Sequence, residues 1–274
     1  VQRSAPQNKP SVLVVVPTYN EIENLDTLVE RLRAALPDDD LLVVDDNSPD
    51  GTGRRADEIA AADPRVHVLH RQGKEGLGRA YVAGLGWGVA RGYDRLVQMD
   101  ADLSHEPEAV PSLLAALDGG ADLVLGSRYV KGGGTVNWGL YRRVLSRGGS
   151  LYARLILGLP YRDLTGGFKC WRRHVLEDID LPTIRSDGYS FQIEMTYRAH
   201  LRGHKIVEVP ITFADRVDGV SKMSKRIVAE AVGMVWRLRA GSDAVRRHGP
   251  GRGGSAENTA QRSVPAPVAG PPAD

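Results

Sequence analysis

Cysteine is nearly absent: Cys170 is the only one in 274 residues. That excludes an intrachain disulfide framework and a Cys-based metal site. Its setting, Phe168-Lys169-Cys170-Trp171, reads as a buried strand, so the thiol is structural rather than nucleophilic. Such usage suits a reducing compartment. Long apolar runs are also missing. No stretch reaches the roughly 20 uninterrupted apolar residues of a transmembrane helix, and the first residues lack a secretory pattern. An excess of one charge is missing too: 36 Lys and Arg stand against 34 Asp and Glu, a net of +2. This argues against a general polyanion binder, and no nucleic-acid partner is expected. Residues 1–10 are polar and linker-like, and the lack of an initiator Met points to a piece of a longer protein. From Ser242 onward Gly, Pro, Ala and Ser dominate, so residues 242–274 are expected to form a disordered tail. Residues 11–241 remain for one large folded unit.

Within that unit short apolar runs alternate with helical periodicity. Ser11 to Pro17 is β-branched and continuous, which reads as a parallel strand buried on both faces. Leu25, Leu28, Val29, Leu32, Ala35 and Leu36 recur at helical spacing, and Pro37 ends that helix. Further strands are expected at Leu41–Val44, Val66–Leu69, just before Gln98, and at Leu123–Leu125, with helices at 53–62, 79–91 and 107–117. The alternation argues a doubly wound, mostly parallel α/β domain. Beyond it, a helix is expected over 190–202 and a strand over Ile206–Pro210. The glycine-rich loop Gly73-Lys74-Glu75-Gly76-Leu77-Gly78 is not a dinucleotide fingerprint, because its glycines stand in the wrong order after the third strand. Nor does it carry the Gly-Lys-Ser/Thr ending of a Walker loop.

Polar clusters fall on five strand ends: 18–21, 45–50, 70–78, 100–105 and 127–128. Open α/β sheets bind ligands beyond the carboxyl ends of their strands. The central cluster, Met99-Asp100-Ala101-Asp102-Leu103-Ser104-His105, carries two carboxylates one residue apart. On an extended backbone residues i and i+2 face the same side, so Asp100 and Asp102 can share one hard cation, Mg²⁺ or Mn²⁺. The same spacing also suits a turn or a helix cap.

Several motifs together resemble the inverting family-2 glycosyltransferases, and among them the dolichol- or polyprenyl-phosphate mannose synthases. They are Val16-Pro17-Thr18-Tyr19-Asn20-Glu21, Val44-Asp45-Asp46-Asn47-Ser48-Pro49-Asp50-Gly51-Thr52, Met99 to His105, and Gly126-Ser127-Arg128-Tyr129. Leu164 to Lys169 and Asp187 to Glu194 extend the match, which runs from about Ser11 to Ala240. The resemblance implies a GT-A fold, a Rossmann-like doubly wound sheet, that binds GDP-mannose with one Mg²⁺ or Mn²⁺ on Asp100 and Asp102. It implies that Pro17, Tyr19, Glu21 and Asp46 hold the guanosine. Glu21 and Asp46 can accept hydrogen bonds, and Tyr19 can pack on a ring. Ser104 stands where some relatives carry Gln, which puts a third protein ligand in doubt, and His105 is expected to be neutral and supporting.

The implied acceptor is a polyprenyl monophosphate, already mostly a dianion at neutral pH because its second pKa is about 6. No enzyme base is then needed, and the protein must instead position two phosphates by cationic contacts. Arg128 is the leading candidate, since guanidinium grips phosphate as a fork. Arg216 and Lys222 lie in a stretch resembling the family's acceptor loop, and Arg142 is a weaker candidate. Two basic, apolar stretches, 138–159 and 222–239, are expected to be amphipathic helices lying at a membrane surface, with Trp138, Leu155, Ile156, Val235 and Trp236 below the phosphate layer. The alternative is ordinary core helices. This makes the expected location the cytoplasmic face of a membrane, peripheral, with a membrane-anchoring protein or an N-terminal membrane domain as a further partner. Rival readings are a polyprenyl-phosphate glucosyltransferase using UDP-glucose and a catalytically silent nucleotide-sugar-binding membrane module. A sugar-nucleotide nucleotidyltransferase lacks support, for no glycine-rich basic loop follows the first strand.

Overall fold

The structure is a computed structural model, and it describes residues 9–184, 186–214 and 225–241. A seven-stranded sheet organises it. In chain order its strands are β1 (Val12–Thr18), β2 (Asp40–Asp45), β3 (Val66–His70), β4 (Arg95–Gln98), β5 (Leu123–Ser127), β7 (Lys169–Arg172) and β8 (Ile206–Pro210). In space the order is β3-β2-β1-β4-β7-β5-β8. Two strands that the sequence reading missed, β6 (Gly134–Val136) and β9 (Thr212–Ala214), pair in a small parallel sheet of their own.

The period-2 alternation of β1 divides the core into two layers. Val12, Val14 and Val16 pack with Leu25, Leu28, Leu32, Leu113 and Leu117 from α1 (Ile22–Ala35) and α4 (Val110–Asp118). Leu13 and Val15 pack on the other face with Tyr81, Leu85, Val175, Phe191 and Met195. Those residues come from α3 (Leu77–Ala90), α6 (Arg173–Asp178) and α7 (Gly188–Leu201). Both faces are therefore covered, as an apolar parallel sheet requires. α3 comes unusually close: a Cβ on Gly88 would lie 2.6 Å from Leu96 and 2.7 Å from Leu13. α2 (Thr52–Ala62) completes the winding, while α5 (Leu140–Leu157) and α8 (Lys225–Ala240) pack together in a third cluster around Ala153, Leu157, Tyr197 and Val235.

One strand breaks the parallel rule. β7 lies between β4 and β5 and is antiparallel to both. Its first residue, Lys169, pairs with Gln98 and Leu125 near the carboxyl ends of the neighbouring strands. That reversal carries Asp163 to Phe168 to the sheet edge where β1, β4 and β5 end. Cys170 is wholly buried in β7, and burial pushes its thiol up to about 12, as an inert structural residue requires.

Lys169 is buried as well, its Nζ donating to the Gln192 carbonyl at 2.6 Å and to Thr196 Oγ1 at 3.0 Å. Burial drives its ammonium down to about 7. In the unfolded chain the value is about 10.4. A folded pKa lowered this way costs stability, fully so below about 7, and the cost fades as pH climbs toward 10.4. Between pH 7 and 9 the Tm of the wild type should therefore rise relative to that of Lys169→Met. Parallel curves would refute it.

Candidate active site

The strand order reverses between β1 and β4, which makes a topological switch point, where open α/β sheets bind ligands. Thr18 and Tyr19 lie on one side of that crevice and Asp100 on the other. Backbone strain gathers at the same edge. Asn20, Asn47 and Leu103 follow β1, β2 and β4, and all three have positive φ near 57–59°. For Leu this is a costly conformation, about 1–3 kcal/mol, which persists only where the surroundings impose it. Here Asp102 imposes it: its Oδ1 accepts from the Ser104 N–H at 3.1 Å and from Ser104 Oγ at 2.5 Å, closing a turn over Leu103. β4 ends at Gln98, so Asp100 and Asp102 lie in this loop rather than on the extended backbone expected from the sequence.

Asp100 is held from two sides. The buried Tyr81 hydroxyl donates to its Oδ1 at 2.6 Å, and its backbone N–H donates to His105 Nδ1 at 3.1 Å. Burial, then the Asp100 charge, raises the Tyr81 pKa well above its usual value, so the hydroxyl stays a donor. His105 is wholly buried, stacks on Phe168 at 4.9 Å and meets the edge of Phe213 at 5.2 Å. Burial lowers its pKa in spite of the two carboxylates. The ring is neutral and orders the loop. Gly167 backs onto Asp100, where a Cβ would stand 3.4 Å from Oδ2. An all-oxygen donor set with each carboxylate oriented by a neighbouring hydroxyl fits a hard divalent ion.

The expected nucleotide residues line the adjacent edge. Pro17 is buried at the end of β1, and Lys74 from the glycine-rich loop lies 3.8 Å above the Tyr19 ring. Glu21 Oε2 accepts from Asn24 at 2.9 Å, and the Glu21 N–H donates to Thr52. Asp46 is buried and pairs with Arg71, whose other nitrogen reaches Glu75 at 2.6 Å. Burial raises the Asp46 carboxyl pKa, and Arg71 pulls the other way. Asp45 caps its own turn, accepting from Thr18 Oγ1, Ser48 Oγ and the Ser48 N–H.

Arg128 stands at the end of β5, but its fork is turned inward. Nε and Nη2 grip Asp163 at 2.7 and 2.6 Å, and Nη2 also reaches Thr165 at 3.0 Å. The expected phosphate fork is therefore paired with the carboxylate of Asp163 in this structure. The pair is almost wholly buried, and although burial opposes the charge, Asp163 raises the Arg128 pKa. Arg216 and Lys222 lie outside the described residues. Two positions expected to face a membrane do not: Trp138 is 6% exposed and packs edge-on against Phe213, and Val235 is 2% exposed. Ile156 is half-buried in the third cluster. Leu155 and Trp236 are exposed as expected, and Leu155 continues a stripe on α5 with Leu140, Val144 and Leu151, with Tyr141 beside it.

Arg71, Tyr81 and Asp163 escaped the sequence reading. Each stands 19 to 35 residues from its partner, and no local pattern announces the pairing.

A mostly parallel, doubly wound sheet with paired carboxylates at its switch point is the framework of a nucleotide-binding α/β enzyme. The chain belongs to glycosyl transferase family 2, whose model matches residues 13–180. It is 57% identical over 226 residues to the undecaprenyl-phosphate mannosyltransferase of Micrococcus luteus, covering 82% of this chain and 93% of that one. It is 54% identical over 237 residues to the polyprenol monophosphomannose synthase of Mycolicibacterium smegmatis, covering 85% and 89%. Its fold matches the crystal structure of glucosyl-3-phosphoglycerate synthase from Mycobacterium tuberculosis, in complex with Mn²⁺ and UDP. The TM-score is 0.58 at 22% identity, over 88% of this chain and 81% of that one.

Proposed function

We propose that this glycosyltransferase moves mannose from GDP-mannose to a polyprenyl monophosphate with inversion, releasing GDP. The observation that carries the reading is the pair of relatives, matched over nearly their full lengths and named for mannosyl transfer to polyprenyl carriers. The site is compatible with it. Tyr19, Glu21 and Asp46 offer a ring face and acceptors to guanosine, and Pro17 shapes the wall. Tyr81 and Ser104 hold Asp100 and Asp102 in fixed orientations. An Mg²⁺ or Mn²⁺ ion on those carboxylates would neutralise charge on the departing diphosphate. A phosphate dianion attacks without a base, and neutral His105 is not positioned to act as one, since its Nδ1 is engaged by the Asp100 N–H. Single displacement turns an α-mannosyl donor into a β-mannosyl phosphate. Arg216 and Lys222 remain the cations proposed for the acceptor, and Arg128 is proposed to act through Asp163. The test is incubation with radiolabelled GDP-mannose or UDP-glucose, polyprenyl phosphate and Mg²⁺, followed by lipid extraction. Label should enter the lipid phase from GDP-mannose. Label only from UDP-glucose, or nucleotide binding without transfer, would overturn the reading.

A lipid acceptor requires the enzyme to reach a bilayer. No helix among the described residues is long and apolar enough to cross one. α5 carries no acidic residue, and Leu140, Tyr141 and Leu155 are 77%, 79% and 73% exposed on it alongside Arg143 and Arg147. We propose that this face docks on the cytoplasmic surface of an anionic membrane, unaided or beside an anchoring protein. Apolar insertion and about 1 kcal/mol per basic residue would combine. Leu140→Ser/Leu155→Ser should reduce flotation with anionic liposomes at all salt concentrations, whereas salt alone should weaken the wild type only in part. Flotation unchanged by the double substitution would exclude this face.

A further inference from the structure

The opposite edge of the sheet holds a second cluster. Because β7 is antiparallel, its far end lies level with the starts of β5 and β8, where Leu123 pairs with both Trp171 and Ile206. Three segments meet there: Asp122 just before β5, His174 in α6 just after β7, and His204 just before β8. One ligand atom from each lies within 4.8 Å of the others. The five residues of β5, about 16 Å of extended chain, separate this edge from Arg128 and the carboxylates of the active site.

The details favour an ion over a chance meeting of surface charges. His174 Nε2 is 3.4 Å from Asp122 Oδ1. Two neighbouring ligands on a tetrahedral ion, each bonded at about 2.0–2.1 Å, stand about 3.4 Å apart. The imidazoles of His174 and His204 lie close together, with centroids 5.5 Å apart and planes at 52°. Asp178, at the end of α6, places its Oδ2 2.9 Å from His204 Nε2. The tautomer that satisfies this bond carries its proton on Nε2 and keeps the lone pair on Nδ1. A carboxylate behind a histidine in this way orients metal ligands and raises their basicity. Arg202 Nη1 lies 3.8 Å from Asp178 Oδ1. Asp122 is fixed too, since its Oδ2 accepts from the Lys205 N–H at 2.8 Å.

We propose that Asp122, His174 and His204 form a binding site for Zn²⁺, with water as fourth ligand and Asp178 as the outer carboxylate. Two nitrogens and one oxygen suit a late first-row ion, whereas the carboxylate pair at the active edge suits Mg²⁺ or Mn²⁺. The ion would tie together the entries to β5, α6 and β8. Its contribution is to stability, not to the transfer chemistry on the other edge.

The test uses the full chain without an affinity tag, in millimolar Mg²⁺ so that the active-site carboxylates are occupied. Zn²⁺ is titrated by calorimetry, and Tm is read in parallel. One Zn²⁺ per chain should bind, and Tm should rise by about 5 °C at saturation. His174→Ala, on a solvent-facing side chain, should keep the metal-free Tm and lose the Zn²⁺ response. Asp178→Asn should weaken binding by about 10- to 100-fold. The proposal is overturned if the wild type takes up no Zn²⁺, or if His174→Ala binds it as tightly as the wild type does.

Discussion

Asp102→Asn should lower the rate of sugar transfer by about 10³-fold or more and leave Tm within about 2 °C of the wild type. The two halves of that result come from different atoms. An Asn side-chain carbonyl can still accept from the Ser104 N–H and Oγ, so the turn that holds Leu103 at φ 58° survives. What disappears is the negative charge. A divalent ion at a breaking phosphate bond is worth several kcal/mol, and each 1.36 kcal/mol is tenfold in rate. Tyr81→Phe supplies the graded companion. It keeps the ring that packs on Phe191 at 5.9 Å and removes only the bond to Asp100 Oδ1. Loss of such an orienting partner costs about 10- to 100-fold in metal affinity. Its defect should therefore shrink as Mg²⁺ is raised, and that of Asp102→Asn should not. A fully active Asp102→Asn protein in the presence of a chelator would refute the metal assignment.

The same atoms show what a sequence can and cannot disclose. The strands of the first half were legible because each is a short apolar run ended by turn residues. Their polar ends all fall on one edge, the edge that holds the candidate site. The direction of β7 was not legible, since Lys169 to Trp171 reads the same in either orientation. Yet that direction is what brings Asp163 to Arg128 and Gly167 to Asp100. β6 and β9, three residues each, are too short to show a period, although β9 carries the Phe213 that closes over His105. The sequence of α5 reads as amphipathic, but an apolar stripe does not say what will cover it. Trp138 stands before the helix begins and turns inward to Phe213, whereas Leu140, two residues on, turns out.

Asp163→Leu is expected to be the most destabilising of the substitutions considered. Asp163 has a fully buried side chain that accepts from Arg128 three times, through the backbone N–H, Nε and Nη2. Its own N–H is held by Glu208 at 2.9 Å. Removing one partner of a buried ion pair leaves the other charge uncompensated and costs about 3–5 kcal/mol. For a protein of this size that is a fall of about 10 °C in Tm. Arg128→Met should cost a similar amount by stranding the carboxylate. The double variant, Arg128→Met/Asp163→Leu, should be more stable than either single one, because no unpaired charge remains. The transfer assay then separates structure from chemistry. If Arg128 acts by holding Asp163 and the Thr165 to Phe168 segment in place, activity should return along with stability in the double variant. If stability returns while transfer stays at the level of the Arg128→Met protein, the guanidinium itself meets the substrate, and the inward fork must open during the reaction.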